Sequence, residues 1–173
     1  MRLVDCNLGS HGDAILAILN DAILHSTALY DYVARPPESM VGWFRSKEEK
    51  GYPVVGAESD AGELLGFASY GSFRAWPAYK YTVENGIYIR EDQRGRGLGR
   101  LLMRELIARA RTQQLHVIVA GIDLENQASI ALHRSLGFEP AGTIRHAGFK
   151  FGRWLDLGFF QPLLDTPRHP VDG

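Results

Sequence analysis

Between Gln93 and Gly99 the chain sets Gly95, Gly97 and Gly99 at alternate positions, with Arg94 and Arg96 among them. The chemistry that suits this composition is anion binding. Glycine lets a tight turn aim successive N–H groups inward, and the guanidinium groups add positive charge. The plain alternative is a tight connection before a helix. Two nucleotide motifs are excluded directly: a P-loop needs a Lys followed by Ser or Thr, which the stretch lacks, and its G-x-G-x-G spacing is not the dinucleotide G-x-G-x-x-G. A second chemical stretch runs from Asn126 to Phe138. Asn126 and His133 are seven residues apart and share one helix face, and Asn126 can also cap that helix.

The elements that must position these groups follow from apolar spacing. Ile87, Tyr88 and Ile89 suit a buried strand, whereas Leu98, Leu101, Leu102, Leu106 and Ile107 recur at helical spacing to about Thr112. A strand, a loop and a helix start therefore meet at the anion loop, where the positive end of the helix favours a phosphate.

Upstream, Arg2-Leu3-Val4 predicts an edge strand, and Ala14, Ile15, Ile18, Leu19 and Ala22 an amphipathic helix. His25 to Tyr32 reads as a loop able to line a pocket. Ser39 is expected to cap a helix carrying Met40, Val41, Trp43 and Phe44. Val54–Glu58 and Leu64–Tyr70 flank a turn and predict two antiparallel strands. Ser72 to Tyr81 is irregular and aromatic, with Pro77 excluding a central strand. Leu115–Ala120 predicts a buried strand, Asn126–Leu136 a helix closed by Gly137, and 138–144 and 154–160 the last two strands. His146 to Arg153 between them reads as a loop, and the chain after Pro162 as a loose tail.

With 173 residues, 45% of them hydrophobic, the chain fits one domain with a good-sized core. Its 19 basic and 20 acidic residues remove the usual electrostatic reason to propose nucleic acid, and the basic cluster from Arg90 to Arg111 divides between the anion loop and a solvated helix face. Cys6 is the sole cysteine, no stretch approaches a membrane span, and the first residues lack the apolar run of a signal peptide, so a cytoplasmic location is expected. His11, His25, His116, His133, His146 and His169 are scattered without ligand spacing, so no metal is expected.

Gln93 to Gly99 after a hydrophobic strand resembles the pyrophosphate-binding motif of the GCN5-related N-acetyltransferases, and the Asn126–His133 helix resembles that family's second coenzyme element. Taken with Thr82-Val83-Glu84 and with Gly148 to Asp156, the chain from Asn20 to Phe160 resembles the phosphinothricin and methionine-sulfone acetyltransferases, which acetylate the α-amine of small amino acids and analogues. The resemblance implies one α/β domain over residues 1–162 with a tail at 163–173. Its sheet is mixed and mostly antiparallel, with helices on both faces, and splays at the coenzyme strand. The implied cosubstrate is acetyl-coenzyme A, held by Ile87, Tyr88, Ile89, Arg94, Gly95, Arg96, Gly97, Leu98, Gly99, Arg100 and Asn126. A homodimer is implied as well, and the role is either detoxification or metabolism.

Acetyl transfer to an amine needs a neutral amine, a polarised carbonyl and a route for the departing thiolate. In the light of the resemblance, Glu84 is the candidate general base and His133 the candidate proton donor to the thiolate. Their plain alternatives are a surface carboxylate and an ordinary helix-face histidine. An N–H of the Ile87 and Ile89 backbone can polarise the acetyl oxygen. Arg74 can pair with a substrate carboxylate, with Ala75, Trp76, Glu84, Asn85 and Gly86 around the acceptor and Tyr79 beside Trp76 as a further apolar wall. Two other functions fit the same residues: acetylation of a polyamine or peptide N-terminus, and a coenzyme A-binding module without catalysis.

Overall fold

The change of period after Ile89 is realised as a strand, a connection that opens with one 3-10 turn at Glu91–Gln93, and a helix. The computed structural model describes residues 1–172. Its elements are β1 (Arg2–Asp5), α1 (Leu8–His25), α2 (Ser39–Glu49), β2 (Val54–Glu58), β3 (Leu64–Ser72), β4 (Thr82–Ile89), α3 (Leu98–Thr112), β5 (Val117–Asp123), α4 (Gln127–Arg134), β6 (Glu139–Lys150) and β7 (Arg153–Gln161). The seven strands form one sheet in the order β1-β2-β3-β4-β5-β7-β6. β4 and β5 pair in parallel, whereas β1 with β2, β2 with β3, β5 with β7 and β6 with β7 are antiparallel. The sheet is thus mixed and mostly antiparallel, as the resemblance implies.

The chain divides into two units, Met1–Ser69 with Ile87–Met103, and Tyr70–Gly86 with the residues from Arg104 onward. In the first, Phe67 is fully buried, with Trp43 edge-on at 6.1 Å and Tyr88 at 5.3 Å. β3 lies so close to the end of β4 that a Cβ at Gly66 would sit 2.8 Å from the Tyr88 carbonyl, which only glycine allows. The Arg90 N–H donates to the Leu65 carbonyl at 3.0 Å, fixing the chain where it enters the anion loop.

In the second unit, Val83, Leu106, Ile118 and Leu155 are fully buried, and the Tyr70 hydroxyl reaches Gln113 Oε1 at 2.7 Å. The parallel ladder runs from Thr82↔Val117 to Glu84↔Val119 and stops there, although β4 continues to Ile89. Beyond that point β5 pairs with β7, from Ala120↔Phe160 to Asp123↔Leu157.

Three local expectations are corrected. Ser39 is the first residue of α2, not its cap: its hydroxyl donates to the Pro36 carbonyl at 2.6 Å. Most of 146–153 is not loop, because β6 runs on to Lys150 and pairs with Arg153 across Phe151 and Gly152, both at positive φ (52° and 74°). That two-residue turn matches the strand twist, so the hairpin continues past the irregularity between Ile144 and Gly148. The segment after Pro162 is tied down: Leu164 is buried, its N–H donates to the His116 carbonyl at 2.7 Å, and the Val171 N–H donates to the Tyr81 hydroxyl at 3.1 Å. Burying an apolar side chain offsets the entropy of ordering a chain end.

Candidate active site

Strand alternation sends Val83 into the core and leaves Glu84 half-buried on the opposite face. Burial raises the Glu84 pKa above the usual carboxylate range, and the positive charge of Arg74 opposes that rise with a smaller effect. Arg74 itself is exposed. Its guanidinium lies 4.4 Å over the Phe73 ring and donates to the Phe73 carbonyl at 3.1 Å. Trp76 is 69% exposed and Tyr79 42%. Ala75 is exposed beside them.

Asn85 and His133 are brought together. Asn85 Nδ2 lies 3.1 Å from His133 Nε2, and His133 Nδ1 lies 2.8 Å from the Ser129 carbonyl. A carbonyl only accepts, so Nδ1 bears the proton and Nε2 accepts from the Asn85 amide. The ring is 2% exposed and packs edge-on to Phe138 at 4.9 Å. Burial holds its pKa below the ordinary histidine value, with the Ser129 carbonyl opposing weakly. The imidazole expected to protonate the thiolate is therefore neutral near pH 7, with both nitrogens already engaged. Asn126 caps α4 as expected, its Oδ1 accepting from the Ser129 N–H at 3.1 Å.

The loop from Gln93 to Gly99 makes the tight turn that its glycines predict. Gly95 and Gly97 take φ of 74° and 80°, and both are exposed. Leu98 is buried and anchors the start of α3, whose first N–H groups have no carbonyl one turn upstream. Arg94 Nε donates to the Ile89 carbonyl at 3.3 Å, Arg96 binds Gln93, and Arg100 is exposed. Together, the left-handed glycines, the helix start and the arginines fit a diphosphate. Replacing Gly97 by Ala is expected to weaken coenzyme A binding on the order of tenfold, since a Cβ at this φ costs about 1–2 kcal/mol. Titration calorimetry with free coenzyme A measures it, and the KM for the acceptor should not move.

Sequence reading missed one feature of the site: Gly121 in β5. An ideal Cβ there would stand 3.0 Å from Glu84 Oε1. The available signal was a lone glycine inside an apolar strand, Val117-Ile118-Val119-Ala120-Gly121.

A carboxylate of raised pKa on a strand followed by a glycine-rich, arginine-bearing turn suits an enzyme that takes a group from an anionic carrier. Comparison with known proteins makes this specific. The model of the Acetyltransferase (GNAT) family matches residues 19–138. The L-methionine sulfoximine/L-methionine sulfone acetyltransferase of Pseudomonas aeruginosa is 49% identical over 154 residues, covering 89% of this chain and 90% of the relative. The solved structure of yncA from Salmonella typhimurium with its cofactor acetyl-CoA superposes with a TM-score of 0.94 at 38% identity, covering 99% of this chain and 98% of the other. A phosphinothricin acetyltransferase from Sinorhizobium meliloti in complex with acetyl-CoA gives 0.93 at 34%, covering 98% and 91%. The chain belongs to the Acetyltransferase (GNAT) family and is an acetyl-CoA-dependent acetyltransferase.

Among the described residues no helix is long and apolar enough to cross a membrane, and no group of three His, Cys, Asp or Glu side chains could hold a metal ion.

Proposed function

We propose that the enzyme acetylates the α-amine of a small amino acid or analogue of the methionine sulfone, methionine sulfoximine or phosphinothricin type. The observation that carries the reading is Glu84, a half-buried carboxylate held above its usual pKa with the charge of Arg74 acting on it. Acetyl-CoA, when bound, supplies the acetyl group as a thioester. Glu84 accepts the proton that the acceptor ammonium must lose before its nitrogen can bond to the acetyl carbon; as that bond forms the carbon–sulfur bond breaks, and the second proton shed by the nitrogen goes to the departing thiolate, which leaves as free coenzyme A. Arg74 pairs with the acceptor carboxylate, with Ala75, Trp76 and Gly86 around it. The loop from Arg94 to Arg100 grips the diphosphate, the Ile87–Ile89 backbone and Tyr88 hold the pantetheine arm, and Asn126 contacts the coenzyme. His133 works as a positioning residue: it accepts from Asn85, and so fixes the amide next to the base.

Acetylation removes the positive charge of the amine, so the physiological consequence we propose is detoxification of such analogues, in the cytoplasm. The lone Cys6, its thiol pushed up to about 12 chiefly by burial, is an inert thiol suited to a reducing compartment. A homodimer is proposed as the working form. β6 ends the strand order and exposes Ile144, with Phe149 and Trp154 exposed nearby, an apolar surface of the kind homodimers cover.

Release of free coenzyme A measured with L-methionine sulfone, phosphinothricin and spermidine tests the reading. Turnover is expected with the first two, and turnover with spermidine alone would overturn it. Arg74→Gln should raise the acceptor KM on the order of tenfold, the loss of one charge-assisted pair, without changing the KM for acetyl-CoA.

A further inference from the structure

We infer that Gly121 is a positioning residue for the base, its missing side chain being the seat of the Glu84 carboxylate; this rests on the reading of Glu84 as general base. Glu84 is in register with Val119 on β5, so Gly121 is two residues further along and presents to the same face. The Glu84 side chain reaches along β5, past the last rung of the β4–β5 ladder. At Gly121 an ideal Cβ would meet Glu84 Oε1 at 3.0 Å, Leu157 Cδ1 at 3.4 Å and Phe159 Cε1 at 3.7 Å.

Backbone conformation does not require this glycine. Its φ lies outside the left-handed region, unlike Gly95, Gly97 and Gly137. Glycine weakens a strand interior, and apart from Asp123 at its end the rest of β5 is built from Val, Ile and Ala. Space is therefore what Gly121 supplies, and the atom nearest to that space is a carboxylate oxygen of Glu84.

The consequence is geometric and electrostatic. A methyl at 121 contacts Oε1 more tightly than ordinary packing allows, so the carboxylate must shift by a few tenths of an ångström. A base works only within hydrogen-bond reach of its proton, so a displacement of this kind lowers the rate. The methyl also replaces water beside the carboxylate and so disfavours its charged form. Arg74 is the charge that acts on Glu84, and it stays in place.

The test compares Gly121→Ala, Glu84→Gln and the double variant. Gly121→Ala should lower kcat/KM for the acceptor about tenfold, move the acidic limb of the pH profile upward, and leave acetyl-CoA affinity unchanged. In the Glu84→Gln background the same substitution should have little further effect, because a seat without a base has nothing to position. Carbon NMR titration of the Glu84 carboxyl gives a readout independent of turnover: Ala should raise its pKa, and Gly121→Ser, whose hydroxyl donates to the carboxylate, should lower it. Equal losses with and without Glu84, or an unmoved titration in folded Gly121→Ala and Gly121→Ser proteins, would overturn the inference. Full turnover by Glu84→Gln would instead remove the base reading, and the NMR titration would still decide whether Gly121 seats the carboxylate.

Discussion

Glu84→Gln is expected to lower kcat by about 10²–10⁴-fold while acetyl-CoA affinity stays nearly constant, since the change removes a proton acceptor and keeps the side chain's shape. Steady-state kinetics with calorimetric titration of acetyl-CoA separate the two. In the wild-type enzyme the acidic limb of kcat/KM should fall above the ordinary carboxylate range, because burial outweighs the pull of Arg74 on Glu84. The same burial sets a stability signature. The folded protein holds the Glu84 proton to higher pH than the unfolded chain, so this group's contribution is present below the unfolded pKa and is lost as pH rises through the folded value. At neutral pH the charged carboxylate is therefore a burden on the fold. Glu84→Gln should raise Tm as it lowers turnover, an opposition common where a site is built for activity.

His133→Ala is expected to destabilise the protein by roughly 2–4 kcal/mol, the range for emptying a buried site that also carries hydrogen bonds. The ring is almost wholly enclosed, packs against Phe138, and joins the Ser129 carbonyl to the Asn85 amide. Denaturant unfolding should show a lower midpoint at an unchanged slope. If His133 positions Asn85 and does not itself deliver a proton, kcat should fall far less than with Glu84→Gln, and no basic limb of the pH profile should vanish. Protonating His133 would place a second N–H against the Asn85 amide, and burial already opposes the charge. Its folded pKa therefore lies below the unfolded value of 6.5. As pH falls below 6.5 the unfolded chain takes the proton first, and stability should drop by at most about 1.4 kcal/mol per pH unit until the folded ring titrates too. In His133→Ala that part of the acid sensitivity should be absent.

Sequence alone determined the features governed by neighbours along the chain. The three glycines from Gly95 to Gly99 marked a tight turn, and two of them take the positive φ that such a turn needs. Periodicity placed β4, α3 and α4, and a small polar residue before an apolar run identified the Asn126 cap. These devices act over one turn of helix or a few strand residues, so their signal sits in the local order of residue types. Tertiary structure alone decided what the chemical groups face. His133 meets Asn85 across 48 residues of sequence, and Glu84 meets Gly121 because a parallel ladder sets β4 beside β5 and then ends. The exposure of Trp76, the docking of Leu164 and the extension of β6 to Lys150 also depend on which surfaces the fold covers. Protonation follows the same rule: a sequence names the titratable group, but its pKa is set by the water it loses and the charges it gains, and both come from residues far away in the chain.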